Sequence, residues 1–262
     1  MINNFLIRFV KKKIAKNREE FSHLSRLPRF QPAEISLFGR QFKIADAASF
    51  LFQYNEIFKS QIYKFAAVCQ KPYILDCGAN IGLSIIYFKR LYPKATIIGF
   101  EPDKHIFDIL AYNIKSFEFT DVKLIKKGLW NSETTVKFFA EGSDGGRIAV
   151  KEDKKNIVEI KTISLRKYIN KTVDFLKIDI EGAETRVLED CQDLLCNVKN
   201  LFVEYHSFID QPQTLDKILK ILHHCSFRYY ISNIGAQSKH PFLEKAVWMR
   251  MDNQLNIYAT KK

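Results

Sequence analysis

The sequence predicts an α/β fold built on a mainly parallel sheet, and three observations carry that prediction. From Tyr73 onward, short apolar runs alternate with amphipathic stretches at helical spacing, the pattern of strand, helix and strand units. The run Tyr73 to Cys77 leads directly into a loop of the form Asp76-x-Gly78-x-x-x-Gly82. An acid, Glu101, closes the next apolar run 25 residues after Asp76, about the span of one strand, helix and strand unit.

The elements follow in order. Ile2, Phe5, Leu6, Phe9 and Val10 recur at helical spacing before Lys11, Lys12 and Lys13, so the chain opens on a short basic amphipathic helix. Docking on its own domain is the preferred role, and peripheral contact with a membrane surface is the alternative. Period-two alternation on either side of Gly39-Arg40 predicts a hairpin over residues 34–44, and residues 49–68 read as helical. Strands are expected at 73–77, 96–101, 122–125, 175–180, 201–205 and 229–232, with a last one near Val247 to Met251. Thr134 to Phe139 and Ile157 to Ile163 form an antiparallel excursion between the third and fourth core strands. The division is thus a helical and hairpin extension over 1–70 and a catalytic domain over 71–262.

Composition bounds the function. In 262 residues, 47% are hydrophobic, with 22 Phe and 11 Tyr, enough apolar material for one full core and too short a chain for two large domains. The net charge is +12, but the lysines are scattered over the whole length. A nucleic-acid site needs a clustered basic stripe, so no specific nucleic-acid partner is expected. The five cysteines have neither CxxC pairing nor zinc-finger spacing, which fits free thiols in a reducing, cytoplasmic setting. No apolar run approaches the roughly 18 residues of a spanning helix.

The chemistry begins at the first loop. Gly78 permits a sharp turn and close approach of a ligand to the backbone, Gly82 lets the next helix start against the strand, and Asp76 can meet a cationic ligand. A nicotinamide-binding loop would place glycine two residues after Gly78, where this chain has Asn80. The missing glycine and the added acid favour a cofactor without a pyrophosphate, S-adenosylmethionine (SAM). Glu101 stands where an acid accepts both ribose hydroxyls, and Pro102 turns the chain after it.

On these residues the chain resembles the FkbM family of SAM-dependent methyltransferases, from about Ile57 to Ala259. The resemblance is carried by Glu56-Ile57-Phe58 with Tyr63, by Ile74 to Gly82, by Gly99-Phe100-Glu101-Pro102 with Asn113, by Leu176 to Glu184, by Val203 to His206 and by Asn256 to Ala259. The run Lys177-Ile178-Asp179-Ile180-Glu181-Gly182-Ala183-Glu184 is the most specific. It implies a class I methyltransferase (Rossmann-like) fold, with a mostly parallel seven-stranded sheet containing one antiparallel strand, and transfer to a hydroxyl oxygen. Acceptors in such a family include sugars, polysaccharide precursors and polyketide-type products. Ser143 to Gly146 departs from the serine-rich small-residue loop of relatives.

Methyl transfer needs an aligned acceptor oxygen, exclusion of water and removal of one proton. Asp179, Glu181, Glu204 and His206 are all expected beyond the carboxyl ends of the central strands. His206 is the expected general base, because imidazole titrates near neutrality, and Asp179 is the rival for that role or a positioning group. Glu181 and Glu184 suit the start of the following helix. No motif demands a metal; if one bound, Asp179, Glu181 and Glu204 would hold it. The expected activity is O-methylation of a nucleotide-linked sugar or glycan precursor, the rivals being an RNA or polyketide-type acceptor and a noncatalytic SAM-binding protein.

Overall fold

The structure, a computed structural model, describes residues 21, 24–150, 153–244 and 246–261. The basic helix expected over the first ten residues lies outside them. The hairpin forms from β1 (Ala33–Leu37) and β2 (Arg40–Ile44), with Leu37 opposite Arg40. Its two turn residues are Phe38 and Gly39, both at positive φ (53° and 82°), one position earlier than the pattern suggested. Arg90 covers the Phe38 ring at 3.9 Å, which anchors an apolar residue in a turn that disfavours it. Helix α1 (Ala47–Tyr54) is capped by Asp46, whose carboxylate accepts from the Ser49 N–H. It widens into a π turn over Asn55–Ser60 and stops at Gln61, which is left-handed at φ 56°. The helix expected through residue 68 therefore ends at Ser60.

The core then runs β3 (Tyr73–Cys77), α2 (Leu83–Leu91), β4 (Thr96–Phe100), α3 (Lys104–Ser116) and β5 (Val122–Ile125). Four short strands follow, β6 (Gly128–Leu129), β7 (Thr135–Phe139), β8 (Arg147–Ile148) and β9 (Ile157–Ile163). They make a separate sheet in the order β6-β9-β7-β8, with β7 and β9 antiparallel. The chain returns to the core through β10 (Val173–Ile178), α4 (Glu184–Cys191), β11 (Val198–Phe208), α5 (Leu215–His224), β12 (Arg228–Asn233) and β13 (Met251–Thr260).

The seven-stranded sheet has the order β12-β13-β11-β10-β3-β4-β5. Only β13 is antiparallel, set between β11 and β12. This is the class I methyltransferase architecture. The last strand differs from the expected one: Val247, Trp248 and Met249 are exposed on a turn, and the strand begins at Met251. Its early residues Asp252, Asn253 and Gln254 are polar, so an apolar-run criterion stops where the strand starts.

Every residue of β3 and β10 is buried, because helices cover both faces of the sheet. On one side α2, α3, the hairpin and α1 share a single apolar cluster containing Phe42, Phe50, Phe88 and Phe175. On the other, α4 and α5 pack through Val187, Leu188, Ile218 and Leu222. The described part of the extension thus shares the core of the catalytic domain. Among the described residues no helix is long and apolar enough to cross a membrane.

One polar residue fastens extension to core. Asn113 of α3 has no exposure; its Nδ2 donates to Lys43 O at 2.9 Å and Ile81 O at 2.8 Å, and its Oδ1 accepts from Lys43 N at 2.7 Å. Asn113→Ala is expected to cost about 2 to 3 kcal/mol by stranding these backbone groups. Urea unfolding checks this as a lower midpoint at unchanged slope.

Candidate active site

The chain order of the sheet reverses between β3 and β10, and crevices in open α/β sheets form at the carboxyl ends of strands where that happens. A cavity of about 630 Å³ lies there. The two loops meet closely: a Cβ on Gly78, at φ 86°, would stand 1.8 Å from the Asp179 carbonyl oxygen. Glycine is therefore required by the neighbouring backbone, whether or not a ligand approaches. At Gly82, φ 96°, a Cβ would lie 2.9 Å from Leu110 Cδ1, so this glycine admits α3 against the loop, where the sequence suggested a strand contact.

At one end of the cavity Asn80, Glu101 and Pro102 line the wall, and Gly78 lines it next to Asp179, whereas Asp76 and Gly82 do not reach the wall. Asn80 adopts φ 46°, and its N–H donates to Glu101 Oε2 at 3.1 Å while Asp103 N–H donates to Oε1 at 2.9 Å. Burial nevertheless pushes the Glu101 carboxyl up to about 8. Asp76 is fully buried: it accepts from Ser84 Oγ at 2.5 Å, and its other oxygen lies 3.5 Å from Lys177 Nζ. Burial raises its pKa, and Lys177 opposes that rise. Ser84 itself reaches the cavity wall.

The opposite end is acidic. Asp179, Glu181 and Glu204 line it, and Lys177 stands among them. Lys177 pairs in register with Asp76 across β10 and β3, and its Nζ donates to Gly78 O at 2.6 Å and lies 3.1 Å from Asp179 Oδ2. Burial disfavours its charge, but Asp179 and Asp76 outweigh burial and raise its pKa. Asp179 is pushed up by burial and then by Glu204, and burial drives Glu181 well up. Glu56, on the π turn, is raised to about 7 by burial and by Glu204.

His206 sits behind these carboxylates with its side chain wholly buried, not on the cavity wall. Its Nδ1 is 3.0 Å from Glu184 Oε1, and its Nε2 lies 3.4 Å from Glu204 and 3.5 Å from Glu181. Burial alone would depress the imidazole pKa, but Glu181 and Glu184 prevail and hold it well above the usual value. One ligand atom from each of Asp179, Glu181 and His206 falls within 4.8 Å of the others, a set able to hold a metal ion. The sequence had grouped Glu204 with the two acids in place of the histidine. Glu184, expected to serve the helix start, accepts from Gly182 N and Ile180 N at 2.9 and 3.3 Å as well as facing His206.

Segments from elsewhere roof the cavity. Ser143 to Gly146 line it; Asn80 Nδ2 donates to Ser143 O at 2.9 Å and Ser49 Oγ to Asp144 Oδ1 at 2.8 Å. Phe52, Glu56, Trp248, Met249 and Gln254 also contribute. Sequence reasoning gave no role to Lys177, Ser84 or Gln254. A signal existed for Lys177, a lysine inside an otherwise apolar central strand. None existed for Gln254, whose Nε2 reaches Glu204 Oε1 at 2.7 Å only through strand pairing.

Lys177→Met is expected to destabilise the fold by about 3 kcal/mol at neutral pH, because the buried Asp76 and the partly exposed Asp179 lose their countercharge. Without the ammonium the folded-state pKa values of Asp76 and Asp179 rise further. The penalty is therefore present above those values and fades as pH falls through them. Chemical unfolding at pH 7.5 and pH 5 checks that the gap between variant and parent narrows on acidification.

Residues 76–229 match the model of the methyltransferase FkbM domain. Methyltransferase sdnD of Sordaria araneosa is 32% identical over 58% of this chain and 73% of its own length. Hexuronic acid methyltransferase AglP of Haloferax volcanii is 30% identical over 55% of this chain and 59% of its own. The crystal structure of methyltransferase FkbM from Methylobacillus flagellatus KT superposes with a TM-score of 0.50 at 18% identity, over 94% of this chain and 60% of that one, which is a likeness of fold. This chain thus spans about three-fifths of the length of the last two. With a family match over more than half its residues, the loop from Asp76 to Gly82 included, the chain belongs to the FkbM methyltransferase family.

Proposed function

We propose that this chain transfers the methyl group of SAM to a hydroxyl oxygen of a sugar, as a nucleotide-linked or glycan-precursor acceptor. The observation that carries the reading is a single cavity with two unlike ends, a buried acid in an apolar slot at one and three carboxylates at the other. The first end fits the cofactor. Pro102, Leu129, Phe138 and Ile160 line the same cavity as Glu101 and offer apolar surface suited to an adenine ring, and the two Glu101 oxygens suit a ribose diol. Gly78 and Ser84 lie between this slot and the acidic end, where the methionine portion would extend. The cofactor supplies an electrophilic methyl on a positively charged sulfur.

The second end fits an acceptor rich in hydroxyl donors. Carboxylates accept hydrogen bonds from sugar hydroxyls and repel anionic groups, so the methylated position is the neutral, hydroxyl-bearing part of the acceptor. Phe52 and Trp248, both more than half exposed, border the cavity and offer faces for a sugar ring. The name of the Haloferax volcanii relative supports a sugar acceptor. The hydroxyl proton leaves as the new C–O bond forms. Asp179 and Glu204 border the cavity, so they are the immediate proton acceptors, and His206 supports them from behind.

Incubating the chain with SAM and candidate sugar acceptors, and measuring S-adenosylhomocysteine, is the direct test; no product above the acceptor-free background would refute the reading. The cofactor end has its own signature. Glu101 is raised to about 8 in the free protein, so at pH 7 it is mainly protonated, and two donated hydroxyls favour its charged form. SAM binding at pH 7 is expected to release close to one proton, and affinity should climb with pH and level off above about 8. Calorimetry in buffers of different ionisation enthalpy reads the proton directly. Glu101→Gln should remove the buffer dependence, and Glu101→Ala should weaken binding about 10- to 150-fold.

A further inference from the structure

The acidic end of the cavity is arranged around a nitrogen, His206 Nε2, whose nearest partners, three carboxylates and the Gln254 amide at 3.5 Å, all stand at long range. Nε2 of His206 lies 3.4 Å from Glu204 Oε1, 3.5 Å from Glu181 Oε1 and 4.0 Å from Asp179 Oδ1. Ordinary N–H···O bonds span about 2.7 to 3.2 Å, so these separations are long for hydrogen bonds. They are the separations of atoms grouped around an ion. Two ligands each about 2.1 Å from a small divalent cation stand about 3.0 Å apart at right angles and about 4.2 Å apart across it.

The imidazole supplies a second, separate indication. Its side chain has no exposure, and its Nδ1 is committed to Glu184, a carboxylate only 1% exposed and fixed by the Gly182 and Ile180 amides. With the Nδ1 proton committed to Glu184, Nε2 is the nitrogen that would give its lone pair to an ion, in place of a proton. Histidines that ligate metals are oriented in this way, with the far ring nitrogen donating to a carboxylate. The charges point the same way. Among the described residues, Lys177 is the one lysine within ion-pair distance of Asp179, Glu181 or Glu204, and it reaches only Asp179. Buried carboxylates in excess of their cations are costly unless a cation joins them.

We propose that Asp179, Glu181 and His206 form a divalent-cation site at the acceptor end of the cavity. Two carboxylates and one imidazole suit manganese(II) or magnesium, whose preference is for oxygen, with manganese the better match to the nitrogen. Glu204, held by Gln254, stands beside the ion and remains to accept the proton of a hydroxyl bound there. That the ion holds the acceptor hydroxyl rests on the proposed methyl transfer; that the ion binds does not.

The test is a titration of the chelator-stripped full chain with manganese(II) chloride, following the paramagnetic resonance of the free ion, in the absence of SAM. One ion per chain is expected. Glu181→Gln and His206→Gln should each weaken binding about 10- to 100-fold, while Asp216→Asn, on the exposed face of α5, should leave it unchanged. Glu181 borders the cavity, so its variant is the informative one if the buried histidine variant fails to fold, and circular dichroism separates the cases. Absence of saturable binding, or equal binding by a folded Glu181→Gln variant, would overturn the site. Ion binding without S-adenosylhomocysteine formation would instead count against methyl transfer, and normal SAM binding without the ion would count against the metal alone.

Discussion

The buried ammonium of Lys177 is the contact on which the rest of the site depends. It lies buried near the carboxyl end of a central strand, where a lone charge is among the most expensive groups a protein can bury. It is tolerated because three oxygens converge on it, from Asp76, Gly78 and Asp179. Two of these belong to the cofactor loop and the third opens the acceptor end. A single charge therefore fixes the relative position of the two halves of the cavity, and neither half can move without exposing an unpaired ion in the core.

That arrangement follows from sheet register more than from loop conformation. Lys177 and Asp76 are direct neighbours on parallel strands, so their side chains share a face. On the next strand, Glu204 and His206 occupy alternate positions of β11, on the same face as Phe202, and β13 brings Gln254 opposite His206. Alternation by two thus delivers every acidic-end residue to one side of the sheet at its carboxyl edge. The left-handed residues Gly78 and Glu181 then turn both loops back over that edge.

The parts legible in the sequence were those set by local pattern. Tyr73 to Cys77, Leu83 to Leu91 and Val122 to Ile125 were visible from apolar runs and helical spacing, and the loop from Asp76 to Gly82 from its glycines. Residues whose role depends on partners distant in sequence were not. Nothing near Gly82 announces Leu110, and nothing near Gly78 announces Asp179, so both glycines were identified while their reasons were not. Asp76 was read as facing a ligand because a loop acid usually does; its strand pairing with Lys177 turns it inward instead. His206 was placed at the correct strand end, but depth below the cavity wall is a tertiary property that a terminal position does not encode. The last strand was misplaced because Trp248 and Met249 are apolar for the cavity rim and not for the sheet.

The same division has a consequence for what the site selects. At the cofactor end, Gly78, Asn80 and Glu101 follow β3 and β4, elements fixed by the core, while Leu129, Phe138 and Ile160 come from the smaller sheet. The cavity is also bordered by Phe52 on α1, by Ser143 to Gly146 between β7 and β8, which reach Asn80, and by Trp248 and Met249 before β13, none of which is part of the central sheet. These segments can change without disturbing Lys177 or the pairings that depend on it. On the proposed reading, the ribose of the methyl donor is held by loops of the central sheet, and the acceptor meets segments that lie outside it. A constant carboxylate cluster would then align whichever hydroxyl the roof admits.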